Sequence, residues 1–305
     1  MASDDGSKSW RVEKEESGTK LLNFLQNKLG KEISLRKLKQ ALEQNLCHVN
    51  RRVEHFASTV VGWGDEVEFA LDKMVFKTSR KSLIPPAILY EDEDFLLIDK
   101  PSGISSEDKA LLEILKSMGT RPELALAHRL DKETSGVLAF TKTACAKEAL
   151  YKLFKERKVS KRYNAIVAGI PGKMYGRIDN FLGKIADYEG QNLWGAVEPE
   201  KGMRAVTDWK CINRGKNSTF IACSPLTGRT HQIRVHLASI GHPILGDMLY
   251  NKLKNPPYLP SRCLLHAAEM GFEHPFTGNQ LVTISALPAD FGEAAAVLGL
   301  KIGLS

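Results

Sequence analysis

Apolar residues recur at helical spacing early in the chain. Leu21, Leu25 and Leu29 fall at i, i+4 and i+8, with Leu22 and Phe24 beside them, and Gly30 stops the stripe. A helix is predicted there. Ser34 is placed to cap a second helix carrying Leu35, Leu38 and Leu42 on one face. Short alternating runs follow: Cys47-His48-Val49, a turn at Asn50-Arg51-Arg52, Val60-Val61 and Val67-Glu68-Phe69. These pieces predict a compact unit over residues 20–72, two helices followed by a small hairpin. Residues 1–19 are polar and mixed in charge, which predicts a mobile tail. Residues 73–86 end in Pro85-Pro86 and predict a linker.

From residue 87 to 305 the pattern changes. Ile88-Leu89-Tyr90 and Phe95-Leu96-Leu97-Ile98 predict a hairpin around an acidic turn at residues 91–94. Gly136-Val137-Leu138-Ala139-Phe140 is almost wholly apolar, the signature of a strand buried on both faces. A helix with Ala146, Leu150, Leu153 and Phe154 on its apolar stripe follows it. Further strands are predicted over 162–167, 205–211, 219–223 and 281–285. Strands and helices lack a steady βαβ rhythm. The predicted class is therefore α+β: a mixed, mainly antiparallel sheet with flanking helices, joined to a small α/β unit.

Composition narrows the function. The chain has 305 residues, 43% hydrophobic and 26% charged, ordinary for a globular protein. No apolar run approaches the roughly 18 residues of a membrane span, and the N-terminus lacks the order of a secretory signal. A cytoplasmic protein without a membrane partner is expected. The five cysteines form no CxxC pair, so neither a disulfide framework nor a metal site is expected. The formal net charge is +7. Between Thr141 and Tyr163 lie eight basic residues and two acids, a net +6. That concentration points to a polyanionic partner more than the overall charge does.

Two segments carry candidate chemistry. In His128-Arg129-Leu130-Asp131-Lys132-Glu133-Thr134-Ser135-Gly136, Asp131 is flanked by cations. Such neighbours favour a carboxylate able to act as nucleophile or general base. On spacing alone, an Asp that merely holds a loop is the plainer reading. The second segment is Thr227-Gly228-Arg229-Thr230-His231-Gln232-Ile233-Arg234-Val235-His236. Thr230 is placed to cap a helix there, and a half-buried Arg234 would need a carboxylate partner. His231 and His236 are five apart, not the spacing of a helical zinc pair, and read as ordinary polar residues. No phosphate-binding glycine loop, dinucleotide turn or nucleophile elbow is present in the sequence. A reaction without nucleotide or other cofactor is expected.

HRLDKETSGVLAFTKT, KRYNAIVAG, PLTGRTHQIRVHLASIGHPILGD and LLHAAEMGFEHPFTG occur in that order. They closely resemble the signature segments of the RluA family of pseudouridine synthases, which isomerise uridine in RNA. The resemblance spans nearly all of residues 88–290. It implies the pseudouridine synthase fold, with Asp131 catalytic, Tyr163 stacking on the target base and Arg234 pairing with Asp131. It also implies that Arg129 fills the gap left by the extruded base and that Leu265 forms an apolar pocket wall. One departure is Ile104-Ser105-Ser106-Glu107, where the family often has a histidine. Upstream, ISLRKLKQAL, HVNRRV and GDEVEF resemble an S4 RNA-binding domain, a common attachment in that family. Lys20-Leu21-Leu22-Asn23 departs from its usual opening. This resemblance makes Arg36, Lys37, Lys39, Arg51 and Arg52 candidate RNA contacts.

The expected partner is RNA, large-subunit ribosomal RNA in the first place, with a monomer as the working state. A tRNA-directed synthase is the alternative. A non-catalytic RNA-binding protein is less compatible with the presence of both Asp131 and Arg234. A glycosidase would ordinarily need a second carboxylate, and Glu133 has no clear role.

Overall fold

The computed structural model describes residues 7–30, 33–43, 45–70, 85–118, 124–188, 191–251, 253 and 255–303. The chain divides into two units, Met1–Ser82 with Asp187–Gln191, and Leu83–Ala186 with Asn192–Ser305.

The first unit contains β1 (Ser7–Arg11), α1 (Leu21–Leu29), α2 (Leu35–Glu43), β2 (Cys47–Val49), β3 (Arg52–Val53) and β4 (Glu66–Ala70). Its sheet has the order β1-β4-β2-β3. Leu21, Phe24 and Leu25 of α1 pack with Leu38 and Leu42 of α2 on Val67 and Phe69 of β4. Leu35 departs from the predicted stripe and stands exposed, because Ala41 completes the buried face instead. The tail expected over residues 1–19 is corrected from Ser7 onward. β1 pairs antiparallel with β4, Trp10 opposite Val67, and Val12 is buried. A strand held mainly by backbone hydrogen bonds, with so few inward residues, leaves almost no trace in hydrophobic periodicity. The expected linker falls mostly on residues 71–84, outside the described residues.

The second unit opens with β5 (Ile88–Glu91), β6 (Phe95–Lys100), α3 (Lys109–Ser117), β7 (Ala125–Leu126), β8 (Ser135–Thr141), α4 (Ala144–Lys155) and β9 (Ser160–Ala168). It continues through β10 (Tyr175–Tyr188) and β11 (Gln191–Val197), apart from the residues at their facing ends that fall in the first unit, then β12 (Met203–Arg214), β13 (Ser218–Pro225) and α5 (Gln232–Ser239). It ends with β14 (Leu265–Glu273), β15 (Gln280–Ile284) and α6 (Ala289–Leu298). The sheet runs β11-β10-β12-β13-β9-β14-β8-β6-β5, with β15 on β14 and β7 on β8. β8 and β14 are parallel, whereas β5–β6, β6–β8, β9–β13, β9–β14 and β12–β13 are antiparallel. The expected mixed, mainly antiparallel α+β architecture is the one observed. No helix among the described residues is long and apolar enough to cross a membrane.

Two layers of side chains explain the apolar run of β8. Val137 and Ala139 pack with Ala146 and Leu150 of α4 on one face. Leu138 and Phe140 pack on the other with Leu111 and Leu115 of α3, Ile233 and Leu237 of α5, and Phe291 of α6. Every residue of β8 is buried. Gly136 opens it at φ +107, where a Cβ would run into the Ala267 backbone of β14. Only glycine permits that approach.

The sequence reading did not anticipate α3, β7, β10, β11, β14 or α6. In β10 the outward positions are charged. Arg177 forms a fork with Asp208 directly opposite on β12, at 2.6 and 2.7 Å, and Asp179 receives the fork of diagonal Arg204 at 2.9 and 2.6 Å. Cross-strand ion pairs replace the apolar alternation by which a strand is recognised. α6 buries Phe291, Ala294, Ala295 and Leu298, and small alanines give its stripe little contrast.

Candidate active site

The loop from His128 to Thr134, just before β8, is held from below. Lys100, at the end of β6, is fully buried and donates to the carbonyls of Pro101 (2.9 Å), Ile104 (2.9 Å) and Lys132 (3.3 Å). Burial pulls its pKa down to about 8. The Ser102 hydroxyl donates to the Glu133 carbonyl at 2.7 Å, and Gly103 N–H to that of Lys132 at 2.9 Å. Ser106 both donates to the Leu130 carbonyl and accepts from its N–H, each at 2.9 Å. The Ile104-Ser105-Ser106-Glu107 departure therefore supports loop backbone. His128 accepts from the Ala139 N–H at 3.2 Å, and its ring lies 5.8 Å from that of Phe154. Burial, with the charge of Lys161, pushes the imidazole pKa down to about 3.

Asp131 projects from this loop into a cavity of about 620 Å³ that Arg129, Tyr163, Arg234 and Leu265 also line. All five catalytic-domain residues expected from the sequence thus meet in one place. Arg234 Nη1 donates to Asp131 Oδ2 at 3.3 Å. Tyr163, on β9, is buried, and Leu265, at the start of β14, sits opposite Ala165 across the strand pair. Burial and the charge of Asp131 push the Tyr163 phenol upward. Arg129 is exposed and meets Glu107 at 3.3 Å.

The structure adds residues that the sequence reading missed. Arg234 is 8% exposed. Its Nε donates to Asp247 Oδ2 at 2.7 Å and its Nη2 to Asp247 Oδ1 at 2.9 Å. Burial lowers the Arg234 pKa, but the hydrogen bonds and charge of Asp247, with Asp131, outweigh it and raise the pKa overall. Asp247 is itself oriented by the N–H groups of Leu249 (3.0 Å) and Tyr250 (3.1 Å). The need for a carboxylate beside a buried arginine was readable; that Asp247, 13 residues on, would supply it was not.

His231 also departs from its expected ordinary role. It precedes α5 in the left-handed region at φ +55, and its Nε2 lies 3.9 Å from Asp131 Oδ1. Its Nδ1 shares a 2.9 Å hydrogen bond with the Tyr250 hydroxyl. Burial and Arg234 lower its pKa. Thr230 does not cap α5. Gln232 organises that corner instead, accepting from Arg229 N–H (3.0 Å) and Thr227 hydroxyl (2.7 Å) while donating to the Val206 carbonyl (3.0 Å) and Thr207 hydroxyl (2.9 Å). A buried amide with all four partners fixes the loop rigidly.

In the first unit, Lys37, Lys39, Arg51 and Arg52 are exposed. Arg36 lies on α2, with its side chain outside the described ones. Asn50 and Arg51 adopt φ +52 and +65, forming the tight tip that presents Arg52. Among the described residues, no three His, Cys, Asp or Glu side chains converge on a metal position.

Comparison with known proteins gives a consistent result. The RNA pseudouridylate synthase family profile matches residues 94–239. The chain is 34% identical over 283 residues to ribosomal large subunit pseudouridine synthase D of Pasteurella multocida, covering 86% of each. It is 38% identical over 210 residues to the dual-specificity RNA pseudouridine synthase RluA of Escherichia coli, covering 67% of this chain and 93% of that protein. The solved structure of human RNA pseudouridylate synthase domain containing 1 superposes with a TM-score of 0.62 at 27% identity, over 72% of this chain and 90% of that one. With this likeness running through nearly the whole chain, the protein belongs to the RluA family of RNA pseudouridine synthases.

Proposed function

We propose that this enzyme isomerises uridine to pseudouridine in large-subunit ribosomal RNA, using Asp131 as its catalytic group. The single observation that carries the reading is the Asp131 carboxylate, presented to an open-mouthed cavity beside a guanidinium and near an aromatic ring. A uracil inside folded RNA is out of reach, so the nucleotide must be flipped out. Tyr163 stacks on the flipped base and Leu265 closes its apolar side. Arg129, at the exposed mouth, takes the vacated place in the RNA.

The C1′–N1 bond then breaks, the uracil turns, and C5 bonds to C1′. The C5 proton leaves and N1 gains one, so atoms balance within the nucleotide. Bond breaking builds positive character at C1′, which a nearby carboxylate stabilises. Attack on C1′ and removal of a neighbouring sugar proton, which returns to its carbon as C5 bonds to C1′, both need Asp131 within reach of the ribose. Arg234, locked by Asp247, orients that carboxylate. No electrons are exchanged and no second substrate is consumed, so the reaction calls for no cofactor. The first unit, read as S4-like, holds RNA phosphates through Arg36, Lys37, Lys39, Arg51 and Arg52. The ribosomal target rests on relatives such as the large-subunit enzyme of Pasteurella multocida.

Mapping pseudouridine in ribosomal and transfer RNA with and without the protein tests this directly. Sites in large-subunit RNA that vanish without the protein and return with wild type, but not with Asp131→Asn, are the expected result. Sites confined to tRNA, or turnover retained by Asp131→Asn, would overturn it.

A further inference from the structure

The sheltered cations of the second unit nearly all have partners. Lys142 meets Glu91 at 2.8 Å, Arg162 meets Glu269 at 2.7 Å, Arg234 is held by Asp247, and Lys100 by three carbonyls. Lys161 is different. It is half-buried, and among the described residues its ammonium has neither a carboxylate nor a hydrogen-bond acceptor. It lies over the Phe154 ring, 5.7 Å from the centroid, and beside Gly228. Burial alone shifts its pKa, downward, with no neighbouring charge to oppose it. Sheltering a cation without an anionic partner is costly, and an aromatic face offsets only part of that cost, so the position calls for an anion from outside.

That anion comes through the catalytic cavity. Lys161 and Tyr163 are two apart on β9, so their side chains leave the same face, and both line the cavity. Tyr163 feels the charge of Asp131, whereas Asp131 is not among the influences on Lys161. Lys161 is thus farther from the carboxylate than Tyr163 is. It lies toward the turn after α4, where exposed Lys155 and Arg157 edge the same cavity. Lys155, Arg157 and Lys161 together make this edge of the cavity basic.

We infer that Lys161 is a phosphodiester-binding residue that grips a phosphate flanking the flipped uridine. The inference rests on the base-flipping reading above. It explains why an unpaired ammonium is kept in an RNA-free cavity: the free protein gives up stability for substrate affinity.

The test uses full-length protein and a ribosomal RNA fragment carrying the mapped uridine. Lys161→Met and Lys161→Arg are compared with wild type for RNA affinity across salt, single-turnover rate at saturating RNA, and thermal unfolding without RNA. Lys161→Met should bind roughly tenfold more weakly and lower the log–log salt slope by about 0.7–0.9, the value of one phosphate contact. Its saturated rate should stay within about threefold of wild type, and its Tm should rise. Lys161→Arg should restore affinity and slope. Unchanged affinity and slope would overturn the inference. So would a rate loss at full affinity, which would assign the ammonium to the uracil ring, or a lowered Tm, which would make it structural. If wild type produces no pseudouridine, the failure lies with the function proposed above, while the affinity and salt slopes still judge Lys161.

Discussion

Arg234 gives its two-pronged fork to Asp247, at 2.7 and 2.9 Å, and only a single 3.3 Å contact to Asp131. On the function proposed above, the two carboxylates therefore divide structure from chemistry. Asp247 is 2% exposed, and its removal would strand a buried guanidinium. Asp247→Ala should cost about 3–5 kcal/mol in urea unfolding. Asp131→Asn, at a half-buried position, should cost under about 1 kcal/mol yet abolish isomerisation. RNA affinity of that variant should stay within about tenfold, because phosphate contacts supply most of it. Equal stability losses would mean that Asp131 is part of the packing.

A second expectation concerns acid. His128 has its pKa lowered to about 3, chiefly by burial. The unfolded imidazole takes a proton near pH 6.5 and the folded one does not. Stability from this group is therefore present above about pH 6.5 and is lost as pH falls from there toward 3. Between pH 7.5 and 5 the loss is about 2 kcal/mol by linkage. His128→Gln keeps an acceptor for the Ala139 N–H but no titratable group. Urea unfolding at both pH values should show wild type losing about 2 kcal/mol more than the variant. Parallel losses would show that the buried imidazole does not govern acid sensitivity.

The residues that line this site were more legible in the sequence than the residues that support them. Asp131, Tyr163, Arg234, Arg129 and Leu265 come from four separate segments and meet in one cavity, as the family resemblance implied. The apolar run of β8 announced a doubly buried strand because both of its faces are covered. What escaped notice satisfies polar needs through long-range contacts. Asp247 answers Arg234, Gln232 closes its corner with four hydrogen bonds, and Lys100 supports the Asp131 loop from 32 residues away. Hydrophobic periodicity carries no record of such partners. For the same reason it missed β10, whose outward residues pair as ions, and β1, held largely by its backbone.

Arg129 and Glu107 meet at 3.3 Å on the surface, both well exposed. An exposed pair of this kind contributes about 0–1 kcal/mol, so Glu107→Gln should leave unfolding nearly unchanged. If Arg129 fills the space left by the extruded base, Arg129→Ala should penalise structured RNA most, since flipping costs a few kcal/mol there. The expected result is a roughly tenfold larger drop in kcat/KM on a stable hairpin than on an unstructured oligonucleotide of the same sequence. The same drop on both would remove Arg129 from the flipping step.

The hairpin tip of the first unit offers a separate test. Asn50 and Arg51 hold left-handed backbone, and the Asn50 side chain bridges Asp65 at 2.9 Å and the Glu66 N–H at 3.0 Å. The backbone of the tip is thus fixed, and Arg51 and Arg52 are presented from it without a backbone ordering cost on binding. If both contact phosphates, Arg51→Gln with Arg52→Gln should lower the log–log salt slope of RNA binding by about 1.4–1.8. The single-turnover rate at saturating RNA should not change, because neither residue lines the cavity. An unaltered slope would mean that these cations are merely solvated, and that RNA is held by the basic rim around Lys155 and Arg157 instead.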